Sequence, residues 1–169
     1  TSGPRRLVAV RFRPGGAAAF LGGAVGALTD TGAELGDLWR DAEAFTEAVA
    51  GAADPVSAVQ RALVGRERRA VDRRLVHAID HLWAGRRVAE VAREVGWSRQ
   101  HLTRRLTPVV GYGPALLARV GRLSRIVADA RRGAPCWTEL AHTHGFADSA
   151  HLTHDFEDLV GLVPSAWRP

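Results

Sequence analysis

At 169 residues the chain is long enough for one ordinary domain or for two small helical domains. Its 46% hydrophobic and 24% charged residues are typical of a folded globular protein and exclude a disordered tail. No apolar run reaches the ~20 residues that a membrane-spanning helix needs. The single cysteine excludes an internal disulfide framework and indicates a reducing, cytoplasmic setting. Because the first residue is Thr1 rather than methionine, we expect further sequence upstream.

The positive charge is concentrated in one segment. All 23 basic residues are arginine, and with 18 acidic residues the net charge is +5. Residues 99–132 hold eight arginines and one aspartate, which leaves this segment at +7, while the rest of the chain stands at −2 with 15 arginines and 17 acidic residues. A concentrated basic surface is what phosphate binding requires, although charge alone leaves a solvated helix face as an equal alternative.

The N-terminal part reads as the end of a larger domain. Val8, Val10 and Phe12 alternate with other residues before a Pro-Gly-Gly turn, which predicts a short strand from Leu7 to Phe12. A lone strand cannot pair its own edges, so its partners are expected upstream. The predicted helices in this part cover residues 17–28, about 41–50, and 56–64.

Helical signals are stronger from Ala70 onward. An apolar stripe runs from Val71 to Leu82, and a helix of about 19 residues is bounded by Pro114 at its start and Gly133 just past its end. Gly121 lies inside this long helix at a cost of roughly 1 kcal/mol relative to alanine. The other predicted helices cover residues 88–95, 98–110, 138–144 and 148–160.

An internal repeat relates two of these helix pairs. Gly96-Trp97 matches Gly145-Phe146 at an offset of 49, and after one extra residue His101-Leu102-Thr103 matches His151-Leu152-Thr153 at an offset of 50. In each copy a glycine suits a left-handed turn between two helices, and a leucine anchors the second helix to the core. Two such matches in register indicate two helix-turn-helix units.

Residues 70–167 resemble the DNA-binding region of AraC/XylS-family transcription regulators, most specifically in the segments 145–156 (GFADSAHLTHDF) and 161–167 (GLVPSAW). The resemblance implies a mainly α fold with two three-helix helix-turn-helix subdomains on one linker helix, entering successive major grooves. Residues 5–39 resemble the end of a sensor domain. The implied partners are double-stranded DNA and, in the intact protein, RNA polymerase, a small-molecule effector and, as an option, a second copy; no membrane partner is implied.

The implied organisation has two parts. Residues 1–66 are the remnant of a sensor domain with its linker, preceding residues 67–169 as the DNA-binding domain. Within the DNA-binding domain the sequence divides into a first helix-turn-helix, a linker helix and a second helix-turn-helix, at 88–110, 114–132 and 138–160.

The candidate contact residues follow from helix periodicity and from the resemblance. Base contacts are predicted at outward positions of the two second helices: Gln100, Thr103, Arg104, Ser149, Ala150, Thr153 and His154. Phosphate contacts are predicted at Ser98, Arg99, Arg105, Arg122 and Arg125. Because residues 134–167 contain no arginine, we expect the first helix to dominate affinity and specificity.

Two other classes of function stay open. The same bundle could be a protein-interaction module whose basic face binds an acidic partner. A cluster of one cysteine and four histidines also suggests a metal-binding or nucleic-acid-modifying protein: Cys136, His142, His144, His151 and His154. A shared packing role with His101, which lies far from any cysteine, explains His151 better than metal binding does. We therefore predict no catalytic residue, no metal, no cofactor and no enzymatic activity.

Overall fold

The computed structural model describes residues 7–21, 25–66, 68, 70–133 and 136–167, and these are mainly helical. Its α-helices are α1 Gly16–Leu21, α2 Leu35–Leu38, α3 Ala42–Ala50, α4 Pro55–Gly65, α5 Arg73–Trp83, α6 Val88–Glu94, α7 Arg99–Val110, α8 Pro114–Arg131, α9 Trp137–Thr143 and α10 Ser149–Val160. A short 3-10 helix covers Val25–Leu28. Across these residues, no helix combines the length and the apolar composition that a membrane crossing requires.

The chain divides into two compact units. The first contains the described residues of Thr1–Val76 together with Arg104–Tyr112, and the second those of His77–Thr103 and Gly113–Pro169.

The predicted strand at the start of the first unit is wrong. Leu7 to Arg13 are neither helical nor paired in a ladder, and Leu7 is 91% exposed. A strand needs a neighbour to accept and donate its backbone hydrogen bonds, and the described part of the chain supplies none. The helix predicted for residues 17–28 is formed in part, as α1 and the 3-10 helix, and residues 22–24 lie outside the described residues.

Trp39 organises the first unit. Its indole Nε1 donates to the Phe20 carbonyl (3.0 Å), and its ring meets the Phe45 ring edge-on at 5.2 Å. The guanidinium of Arg66 lies over the same indole at 3.8 Å and pairs with the Asp41 carboxylate at 2.6 Å. A buried aromatic side chain with its polar group satisfied therefore ties α1, α3 and the end of α4 together.

The 3-10 helix lies against the end of α7 within the same unit. A Cβ atom at Gly26 would lie 3.0 Å from the Thr107 carbonyl oxygen, so glycine permits this close approach. The Thr29 hydroxyl donates to the Gly111 carbonyl at 2.9 Å. α7 includes Pro108 and ends two residues after it.

One hydrophobic cluster of the second unit lies where α8 meets α9 and α10. Its buried apolar side chains are Leu123, Ile126, Leu140, Ala141, Phe146, Leu152 and Phe156. Trp137 and Trp167 pack edge-on against Phe156, with ring centroids 5.5 and 6.3 Å away. These aromatic contacts stabilise the α9–α10 pair beyond simple burial of apolar area.

Gly121 occupies the point where α8 approaches the end of α5. A Cβ atom there would lie 2.8 Å from the Trp83 carbonyl carbon and 2.9 Å from its Cα, and it would also overlap the carbonyl oxygen. The glycine that weakens the helix on propensity grounds is therefore required by packing. The sequence predicted that Gly121 destabilises α8, but it did not predict the packing contact that requires glycine at this position.

Candidate nucleic-acid interface

The first helix pair consists of α6 and α7. The α6 end is closed by the Trp97 amide, which donates to the Ala92 carbonyl at 2.8 Å, and Gly96 supplies a φ of 72°. This is the backbone pattern of a left-handed helix cap. Ser98 Oγ then accepts from the His101 amide at 3.1 Å, which satisfies one of the free amides at the start of α7. The turn thus ends one helix and begins the next within a few residues.

The second pair, α9 and α10, repeats this geometry with one more residue in the turn. The Phe146 amide donates to the Ala141 carbonyl at 2.9 Å, and Gly145 has a φ of 73°. The Asp148 carboxylate accepts from the His151 amide at 2.7 Å and takes the capping place of the serine in the first pair. The sequence repeat is therefore also a repeat of turn and cap geometry.

Both of the paired histidines contact an aromatic ring. The His101 ring lies 5.1 Å from the Trp97 ring, and the His151 ring lies 5.1 Å from the Phe146 ring. Each histidine thus packs on the aromatic residue of its own turn. The predicted shared packing role of these histidines is confirmed.

The second helix of each pair has an inward and an outward side. Leu102, Leu106, Leu152 and Phe156 are fully buried. The predicted base-contact residues lie outward: Gln100, Thr103, Arg104, Ser149, Ala150 and His154 are exposed, and Thr153 is half-buried. Both threonine hydroxyls donate to a carbonyl one turn earlier, at 3.0 Å in α7 and 2.8 Å in α10, which leaves their methyl groups as the distinctive contact surface.

The predicted phosphate-contact residues differ in their surroundings. Ser98 and Arg99 are exposed at the start of α7. Arg105 pairs with the Asp72 carboxylate at 2.8 Å. This pair commits one arginine of the basic segment to a contact within the first unit.

Arg122 and Arg125 are half-buried in the second unit. The Arg125 guanidinium donates to the Trp83 carbonyl at 2.5 Å, and burial lowers its pKa. Arg122 lies over the Phe146 ring at 4.9 Å, and its buried Nε has no hydrogen-bond partner among the described residues. Both side chains therefore support the packing of α8 as well as contributing charge.

A contact that the sequence did not reveal joins α8 to α10. Arg119 donates to Asp155 at 2.9 Å and to Asp158 at 2.6 Å. These hydrogen bonds raise the pKa of Arg119, and the Arg119 guanidinium lowers the pKa of Asp158. Asp155 is only 5% exposed, so it lies on the inward side of α10 with its charge compensated. Part of the positive charge of residues 99–132 is thus neutralised within the second unit.

The cysteine–histidine cluster considered from sequence does not assemble. His144 pairs with the Asp129 carboxylate at 2.7 Å, and this hydrogen bond lowers the pKa of Asp129. Cys136 caps α9, its sulfur accepting from the Glu139 amide at 3.4 Å. Within the described ranges, the possible metal ligands that do gather are instead His77, His81 and Glu94. The spacing of the two histidines by one helical turn was the available signal.

Comparison with known proteins bears on the C-terminal part. Residues 91–169 match the family model described as a helix-turn-helix domain. No curated protein and no solved structure matches the chain. The match covers α7 to α10 and the last four residues of α6, and it supports DNA as the partner of this region. Residues 91–169 thus carry an AraC-like helix-turn-helix domain, typical in general of DNA-binding transcription regulators.

Proposed function

We propose that this protein is a sequence-specific DNA-binding transcription regulator of the AraC/XylS type whose two helix pairs read two successive major grooves. The supporting observation is that both pairs share a left-handed glycine turn, a side-chain cap at the start of the second helix and the same outward positions on that helix. B-DNA's major groove admits an α-helix, and the start of that helix meets the base edges. Two helix-turn-helix subdomains on one linker helix give this arrangement.

The length of α8 supports the two-groove interpretation. Its 18 residues correspond to about 27 Å at the α-helical rise. One turn of B-DNA is about 34 Å, so a helix of this length suits two reading units on one side of the duplex. The two-groove interpretation is tested by measuring how far apart along the duplex the protein contacts the bases.

The first pair supplies the stronger base-reading chemistry. Arg104 can donate two hydrogen bonds to guanine O6 and N7, Gln100 can pair with adenine, and the methyl of Thr103 can meet the methyl of thymine. The second pair offers Ser149, Ala150, Thr153 and His154, none of which is a permanent cation. We therefore propose that α7 dominates affinity and specificity, and that α10 mainly docks.

The proposed phosphate-contact residues form two groups, those that are exposed and those that already have contacts within the protein. Ser98 and Arg99 are exposed beside the start of α7, where free backbone amides also favour an anion. Arg105, Arg122 and Arg125 have internal contacts that a phosphate must share or replace. Their removal is therefore expected to cost folding stability as well as affinity.

The intact regulator is proposed to contain more than this chain. Residues 1–66 fit the remnant of a sensor domain, followed by the DNA-binding domain from residue 67. In this proposal an effector bound by the sensor domain, or dimerisation, sets occupancy of the operator, and RNA polymerase is the downstream partner. These partners rest on the resemblance to the family.

The experiment selects duplexes from a random library with the full chain and measures binding of the selected duplex by fluorescence anisotropy. Arg104→Ala is expected to weaken binding about 5- to 150-fold, the range of one bidentate base contact, and His154→Ala to weaken it less. Arg40→Ala is the matched control, because it removes one exposed arginine outside the helix-turn-helix region. A larger loss for His154→Ala would reverse the assignment of the two helices. If the selection yields no preferred sequence, and the duplexes bind equally or not at all, the result would contradict the proposed function and favour the interaction module.

A further inference from the structure

Two histidines and a glutamate of the second unit converge between α5 and α6. His77 and His81 lie one turn apart on α5, with ring centroids separated by 4.1 Å. Glu94 is the last residue of α6, and its Oε1 lies 2.7 Å from His77 Nε2 and 4.0 Å from His81 Nε2. Side-chain exposures of 33–45% leave all three groups accessible to an ion from solvent.

The donor set is one that transition-metal ions prefer. Two imidazole nitrogens and one carboxylate oxygen match catalytic and regulatory zinc sites that keep a fourth position for water. One ligand atom from each residue lies within 4.8 Å of the other two. Bond lengths of about 2.0–2.2 Å require tetrahedral ligand atoms roughly 3.3 Å apart. Rotation of the three side chains, of which His77 and Glu94 are exposed and His81 is half-buried, would bring the ligand atoms to that separation.

Arg86 occupies the other side of the same groups. Its Nη1 donates to His81 Nδ1 at 2.8 Å and pairs with Glu94 Oε2 at 2.6 Å. Arginine has no acceptor, so the neutral His81 ring must carry its proton on Nε2 in this state. Metal binding through Nε2 requires that proton on Nδ1, and so requires the guanidinium to leave this nitrogen. Arg86 therefore holds His81 and Glu94 together without an ion and competes with a metal cation for them.

We propose that His77, His81 and Glu94 form a binding site for one divalent transition-metal ion of the zinc class, with Arg86 as an internal competitor that lowers its affinity. A bound ion cross-links α5 to α6, the helix that leads into the first turn. The site follows from the geometry of the second unit and does not depend on DNA binding.

The test is isothermal titration calorimetry of the untagged full chain with ZnCl₂ in a non-chelating buffer. We expect saturable binding of one ion, a rise in melting temperature on its addition, and no comparable effect of MgCl₂. His81→Gln and Glu94→Gln each remove one ligand and should lower the affinity at least tenfold. His142→Gln, which removes an exposed histidine on α9, is the matched control and should leave the isotherm unchanged.

Arg86→Gln separates this proposal from adventitious binding. Removal of the competing cation should tighten zinc binding several-fold, whereas it would have no effect on an ion bound elsewhere. His77→Gln, at the most exposed of the three ligands, provides a second ligand variant if His81→Gln does not fold by circular dichroism. Absence of saturable binding in both wild type and Arg86→Gln would overturn the proposal. Zinc binding that is retained in a folded ligand variant but lost in His142→Gln would also overturn the proposal, because the ion would then be bound by a different set of histidines.

Discussion

Replacing Gly121 with alanine tests the close approach of α8 to the end of α5 in the second unit. Helix propensity alone predicts that this substitution stabilises α8 by about 1 kcal/mol. The structure predicts the opposite, because the new methyl group would lie against the backbone of Trp83, 2.8 Å from its carbonyl carbon. Backbone atoms at the end of α5 cannot rotate away as a flexible side chain would.

The magnitude follows from two costs and one gain. Forcing a methyl group into a tightly packed contact costs about 1–3 kcal/mol. The same carbonyl accepts the Arg125 guanidinium at 2.5 Å, and weakening a hydrogen bond to a charged donor costs about 1.5–3 kcal/mol. Subtracting about 1 kcal/mol of helix propensity leaves a net loss of about 1.5–5 kcal/mol in the free energy of unfolding.

Urea unfolding followed by circular dichroism measures this loss directly. Gly65→Ala is the matched control, because Gly65 is also helical, at the end of α4, and an added Cβ meets nothing within 4 Å. Its stability should change by less than about 1 kcal/mol. A Gly121→Ala protein as stable as wild type, or more stable, would refute the packing of α8 against the end of α5.

Three further predictions concern the helix pairs. Gly96→Ala and Gly145→Ala should each lower the free energy of unfolding by about 1–2 kcal/mol. The two losses should be similar, because the φ values are 72° and 73° and an added Cβ meets nothing within 4 Å at either site. Asp155→Ala should cost about 1–3 kcal/mol in urea unfolding, since it removes a buried partner of Arg119. Asp158→Asn should lower the melting temperature at pH 7. That deficit should shrink as the pH falls below 3.8, the ordinary pKa of an aspartate. Because the pKa of Asp158 is lowered in the folded protein, its ionised carboxylate stabilises the fold above that pH, and this stabilisation is lost when the carboxylate is protonated in acid.

Each of these predictions has an outcome that contradicts it. Unequal costs at the two glycines would show that the turns are not equivalent. For the buried aspartate, Glu157→Ala removes a neighbouring exposed carboxylate and serves as the control, so an equal loss there would contradict a specific pair. A melting-temperature deficit that stayed constant down to acid pH would show that Asp158 acts by packing rather than by charge.

The sequence predicted those parts of the fold that depend on neighbours in the chain. Gly145 is a local signal, and the structure confirms the helix that ends before it and the one that begins after it. Leu152 and Phe156 are buried as their periodicity predicts.

Long-range pairings were beyond the same reasoning. Nothing near Arg119 in the sequence indicates a partner 36 residues away, and nothing near Gly121 indicates the Trp83 backbone. The predicted strand from Leu7 to Phe12 was wrong for a related reason. Alternating apolar residues favour a strand locally, but a strand also requires a neighbouring strand to pair with. Charge counting likewise gave no sign that Arg105 and Arg119 pair with carboxylates from distant positions.

The most direct test of the central proposal is methylation interference on a selected duplex. Methyl groups on guanine N7 lie in the major groove, so they interfere where a helix enters it. The proposed function predicts two patches of interference on one face of the DNA, about 10 base pairs apart, with the stronger patch lost in Arg104→Ala. A single patch would contradict the reading of two grooves, and interference spread evenly along the duplex would contradict sequence-specific binding.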